Sequence, residues 1–150
     1  MRWLLSALFM ALWTFADVLL NEAALRQALA EEILRRAQSI GAPVLLDQSV
    51  DVSWQSFLVW APFMAFFIQL AVYGAWSLAY RLGGCRRRGF AAALAVVATV
   101  TAVLWLYVLH LVFIMDYIPI EQPLMYFTVN AGLAFIKYSE CARPPAPTPG

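Results

Sequence analysis

His110 is the only histidine of the chain, and Asp116 and Glu121 follow it closely. An imidazole titrates near neutral pH, so in an apolar run beside carboxylates it could move protons or help to hold a cation. A metal role would need further ligands from Asp47, Asp51, Asp116 or Glu121, because one imidazole alone makes no zinc, haem or copper site. The plainer expectation is a histidine hydrogen-bonded within a helix bundle. Asn130 is the second candidate polar intramembrane group, and facing lipid it would be costly. It is expected to bond across to another helix, worth roughly 0.6–2 kcal/mol, in preference to holding a substrate. Asp17, at the end of the first apolar run, is expected to reach water or to meet an arginine of the segment that follows.

Cys85 and Cys141 stand far apart and in no C-x-x-C or Cys/His pattern, so no zinc or redox motif is visible and free thiols in a reducing compartment are expected. Arg86-Arg87-Arg88 could bind anionic lipid headgroups at about 1 kcal/mol per residue, although a topology signal is sufficient to explain it. The chain has no G-x-S-x-G elbow, Walker loop, H-E-x-x-H or paired catalytic carboxylate, and the reading is therefore not an enzyme, with no cofactor.

The elements that must position these groups are membrane spans. Of 150 residues, 63% are hydrophobic and 13% charged, and the mean hydropathy is +0.74. A soluble domain is about 45–50% apolar and about 25% charged, so a cytosolic enzyme, a β-sandwich and a disordered regulator are excluded. A net charge of +1 offers no general attraction for nucleic acid. Four apolar runs, 3–20, 54–80, 90–115 and 124–138, predict an all-α integral membrane fold of four transmembrane helices in a single domain, 1–150. The first run follows Arg2 and could be a cleaved signal peptide, but its aromatic core continues past Ala16 and an uncleaved anchor is expected. Pro62 should kink the second, and Lys137 should let the fourth span by reaching toward the headgroups; the alternative for the fourth is a re-entrant or interfacial segment packed on the other three.

The segment from Arg81 to Arg88 carries four arginines and no acid, which puts it in the cytoplasm. Counting spans outward and back places both termini in the cytoplasm and 21–53 outside, where three arginines face five acids. Trp3, Trp76, Tyr80 and Tyr138 then mark the inner boundary, and Trp54 and Tyr117 the outer. Nine of the ten cations are arginine and alanine is abundant, the bias of a GC-rich bacterial genome, so the membrane is read as a cell inner membrane.

Residues 21–40 form one amphipathic extracytoplasmic helix, with Leu25, Leu29, Ile33 and Ile40 on one side and Glu22–Arg26, Glu31–Arg35 and Glu32–Arg36 paired at i,i+4. Gly41 and Pro43 end it. Its stripe rests on the leaflet or the bundle, or meets a partner through Leu25, Leu29 and Ile33. The small-residue stripes Ala71, Ala75, Ala79 and Ala91, Ala95, Thr99 are expected face to face across the arginine turn. The tail 142–150 holds four prolines and should be extended. The leading expectation is a non-enzymatic accessory or structural component whose partners are the lipid bilayer and another protein or a second copy, with no nucleic acid. A homo-oligomeric transporter or channel for protons or cations, lined by His110 and Asn130, is the alternative.

Overall fold

A computed structural model describes residues 1–43, 45–115 and 120–142, with the backbone alone for 108–115. It contains five helices: α1 (Arg2–Leu20), α2 (Glu22–Ile40), α3 (Leu46–Gly83), α4 (Arg87–Met115) and α5 (Glu121–Cys141). No strand occurs among the described residues. Three helices are long and apolar enough to cross a membrane, namely α1, α3 and α4 through Tyr107, which makes this a multi-pass membrane protein. Asp116, Tyr117 and Arg143, the turn 116–119, the tail 143–150 and the side chain of His110 lie outside the described residues.

Contacts fix the helix directions. Val18 lies in one cluster with Trp54, Met10 in another with Ala65, and Ser6 bonds Gln69, so α1 and α3 run antiparallel. Ala65 meets Tyr126, Gln69 meets Asn130 and Ser77 meets Lys137, so α3 and α5 run parallel. The core is a stack of three clusters: Val18, Leu25 and Trp54 at one end, Met10, Ala65 and Tyr126 in the middle, and Val72, Trp76, Tyr80, Ala93, Val97 and Ala134 toward the other. In lipid such contacts act through van der Waals packing, because the surrounding tails are as apolar as the side chains.

Several expectations are corrected. The stripes Ala71, Ala75 and Ala91, Ala95, Thr99 face outward, and only Ala79 is half-buried. The contact uses Val72, Trp76 and Tyr80 against Ala93 and Val97. Trp76 and Tyr80 are thus interior groups, at 1% and 2% exposure, not boundary anchors. The helix that holds the second apolar run extends beyond it: α3 starts at Leu46, where Asp47 sits in the first turn and favours the positive end of the helix dipole. At 38 residues α3 is about 57 Å long, well beyond a hydrocarbon core of about 30 Å. The helix continues through Pro62.

α2 ends as expected. Gly41 adopts φ 66°, while Ala42 N–H donates to the Ala37 carbonyl and Gly41 N–H to that of Gln38, a Schellman-type closure open mainly to glycine. α2 packs on α3 and touches α4.

Candidate functional site

Gln69 and Asn130 are the most buried polar side chains described, each at 0% exposure. They face each other from α3 and α5 and exchange both amide bonds: Gln69 Nε2 donates to Asn130 Oδ1 at 3.1 Å, and Asn130 Nδ2 donates to Gln69 Oε1 at 2.9 Å. The Trp76 indole N–H donates to the same Asn130 oxygen at 3.0 Å, and Asn130 Nδ2 also reaches the Tyr126 carbonyl at 2.8 Å. A primary amide has two donors and two acceptor sites, so all four positions of Asn130 are filled. Gln69 spends its remaining N–H on Ser6 Oγ at 3.3 Å, which brings α1 into the cluster. One turn away, the Tyr126 hydroxyl donates to the Ala65 carbonyl at 3.0 Å. Three helices are therefore joined at one depth by groups with almost no capacity for a ligand.

Lys137 does not reach outward for headgroups, as expected, but inward. Its ammonium donates to Ser77 Oγ at 3.4 Å and lies 5.7 Å and 5.2 Å from the ring centres of Trp76 and Tyr80, where the ring faces attract it. Two interior groups, Trp13 Nε1 and the Tyr80 hydroxyl, have no partner among the described residues. They belong to different clusters and do not line one path.

At the end where α1 finishes, Asp17 is bonded to side-chain amides and to no arginine among the described residues. Its carboxylate accepts from Gln122 Nε2 at 2.8 Å and Asn21 Nδ2 at 3.1 Å, and Thr14 Oγ1 donates to Gln122 Oε1 at 3.1 Å. Beyond it, Arg26 bridges Glu22 at 2.8 Å and Asp51 at 2.7 Å and lies 5.3 Å from the Trp54 ring centre, which docks α2 on the start of α3. Of the partner-facing candidates, Leu25 is buried against Val18 and Trp54, Leu29 packs on the same cluster, and Ile33 is half-buried. Leu34 and Ile40 are the exposed large apolar residues of α2, at 41% and 76%. Asp47 and Glu121, considered above as metal ligands, are exposed, and Asp51 is held by Arg26.

The helix α2 forms two of its three expected charge pairs. Glu22 meets Arg26 and Glu32 meets Arg36, but Arg35 turns to Glu32, while Glu31 accepts from Gln27 at 2.9 Å. Burial works against the charge of Glu32, yet the hydrogen bonds from Arg36 and Arg35 outweigh it and hold its carboxyl below the usual range. A carboxyl lowered on folding contributes stability above its ordinary pKa, and that contribution disappears as pH falls through the folded value. Acidification below pH 5 should therefore loosen α2, read as faster proteolysis between α2 and α3. In Glu32→Gln that acid-induced step should be smaller, and an unchanged step would remove Glu32 as its source.

At the opposite end, Arg2 pairs with Glu140 at 2.6 Å, and Arg81, Arg86, Arg87 and Arg88 are all exposed. Here the expectation of free thiols fails, because Cys85 and Cys141 are joined in a disulfide with Cα atoms 5.5 Å apart. Their distance in sequence concealed this, but both were already assigned to the same end of the bundle. Gln69, Ser6 and Trp76 were also missed as a set, since each could be seen to be polar while the helix rotations that bring them together could not. No protein-family model, curated protein or solved structure matches this chain, so its function is to be read from its own geometry.

Proposed function

We propose that this chain is a non-enzymatic inner-membrane protein that acts as an accessory or structural component and binds other membrane or envelope proteins. In this reading α1, α3, α4 and α5 are four spans. The 21 residues of α5 give about 31 Å, enough for the hydrocarbon core, and Lys137 is accommodated by Ser77 and two ring faces. The arginine turn faces the cytoplasm with both termini. The amphipathic helix α2 and the first turns of α3 form a platform on the outer side, with Leu34 and Ile40 turned away from the bundle.

The observation that carries this reading is the saturation of Asn130. A carrier needs polar groups free to meet its cargo, whereas the deepest amides here are consumed by one another, by Trp76 and by Ser6. Such a centre holds helices in one arrangement and suits a protein that presents a fixed surface to partners.

Reporter fusions after Arg88 and after Tyr138 should both read cytoplasm, and one after Ser49 should read outside. A Tyr138 fusion reading outside would remove α5 as a span. Partners recovered after mild detergent extraction should be lost from Leu34→Ser/Ile40→Ser, on the order of tenfold or more for two buried apolar contacts, while the bundle stays folded. Unchanged recovery from that double variant would reject the platform as the binding surface.

A further inference from the structure

The turn between α3 and α4 holds Cys85 in a fixed place. Gly84 has φ +72°, a conformation that side-chain-bearing residues rarely adopt, and the backbones of Gly83, Gly84 and Gly89 are in contact. A Cβ on Gly83 would lie 2.7 Å from the Gly89 Cα, and one on Gly89 would overlap the Gly84 carbonyl oxygen. α5 ends at Cys141 beside this turn, and the Cα separation of 5.5 Å is ordinary for a disulfide. Cys85 is exposed and Cys141 half-buried, so water-borne reagents can reach the bond. The turn carries Arg86, Arg87 and Arg88, all exposed.

Arginines on this end mark it as cytoplasmic, and a disulfide there is seldom permanent: those that form in a reducing compartment are mostly transient, catalytic or sensing. We propose that Cys85 and Cys141 are a reversible thiol–disulfide site, exchanging with thiols of the glutathione or thioredoxin class, that latches the arginine turn to the end of α5. The inference rests on the cytoplasmic orientation proposed above. An incoming thiolate attacks Cys141 Sγ and forms a new S–S bond with it. The Cys85–Cys141 bond breaks, and its electron pair leaves on Cys85 Sγ as a thiolate, stabilised by the guanidinium charges that follow it. A second thiolate attacks the mixed disulfide and releases Cys141. Two external thiols are thereby oxidised to a disulfide, and their two electrons and two protons pass to Cys85 and Cys141. The reverse exchange closes the latch. With the bond open, this end keeps the Arg2–Glu140 pair, which is exposed on both sides and so only a weak restraint.

The test is thiol trapping of the full chain in cells, with acid quenching and a maleimide–polyethylene glycol label read on a non-reducing gel. In unstressed cells both cysteines should take the label. After diamide both labels should be lost, and they should return on addition of reduced glutathione. Cys85→Ser and Cys141→Ser should each keep one labelled cysteine without an intramolecular bond. A disulfide already complete in unstressed cells would overturn the inference in favour of a permanent staple, and labels that survive diamide would overturn it by showing that the thiols do not meet. A reporter after Arg88 in the same strain separates the two failures. If it reads outside, the orientation falls and the inference with it. If it reads cytoplasm and the pair does not cycle, the inference falls alone.

Discussion

Replacing Asn130 with leucine is expected to destabilise the bundle by about 2–4 kcal/mol, because it strips the Gln69 amide of its Asn130 partners, leaving only its bond to Ser6, and leaves the Trp76 indole unpaired in the interior. A buried polar group stripped of its partner costs more than a bond is worth when made, since it also keeps its desolvation penalty. The double variant Asn130→Leu/Gln69→Leu should therefore be more stable than Asn130→Leu alone. It removes the orphaned amide, leaves Trp76 as it stands in the single variant, and leaves Ser6 with its bond to the Trp3 carbonyl. Unfolding of the purified protein in detergent, followed by heat or denaturant, gives both numbers. Equal stabilities for the single variant and the unaltered chain would show that the four bonds of Asn130 do not form together. If the double variant proved the less stable of the two, the cost would lie in packing volume and not in unpaired amides.

The second large effect is expected at the turn between α3 and α4. Gly89→Ala places a methyl group on the Gly84 carbonyl oxygen, so backbone must move, at a cost on the order of 3 kcal/mol. Gly74→Ala and Gly132→Ala are the controls, because a Cβ at either meets nothing within 4 Å and both lie inside helices. There alanine should be neutral or stabilising by up to about 1 kcal/mol. Gly89→Ala should also fail to form the Cys85–Cys141 bond on oxidation, since opening the turn carries Cys85 away from α5. Accumulation of Gly89→Ala in the membrane at the level of the two control variants would mean that the turn is not closed by glycine contacts.

The helices themselves were legible in the sequence. Composition and the length of the apolar runs announced a helical membrane protein, and Gly41 with Pro43 announced the end of α2. What could not be read was rotation about each helix axis. Ala71 and Ala75 occupy one stripe of α3 at four-residue spacing, but Val72, Trp76 and Tyr80 occupy the adjacent stripe at the same spacing. The choice between them turns on Trp76, whose indole N–H finds no acceptor in lipid and finds one in Asn130. That partner lies on α5, so no local pattern could select the inward face. The beginning of α3 was hidden for a different reason. Hydropathy locates the part of a helix that sits in lipid, whereas 46–53 are held by Asp47 at the first turn and by the Arg26–Asp51 pair.

The length of α3 also makes the molecule a mechanical object. One helix would belong both to the proposed platform and to the membrane bundle, so a load placed on α2 would reach α3 through Arg26–Asp51 and the contact of Leu25 with Trp54. A stiff rod would carry that load undiminished to Gln69. Pro62 breaks the stiffness at one place, because it has no N–H for the carbonyl of Leu58 and helices bend preferentially at such gaps. It lies between Trp54 and Ala65, just short of the central amides. If the proposed platform leans under such a load, Pro62 is where α3 would bend, with Gln69 and Asn130 on the far side of that point.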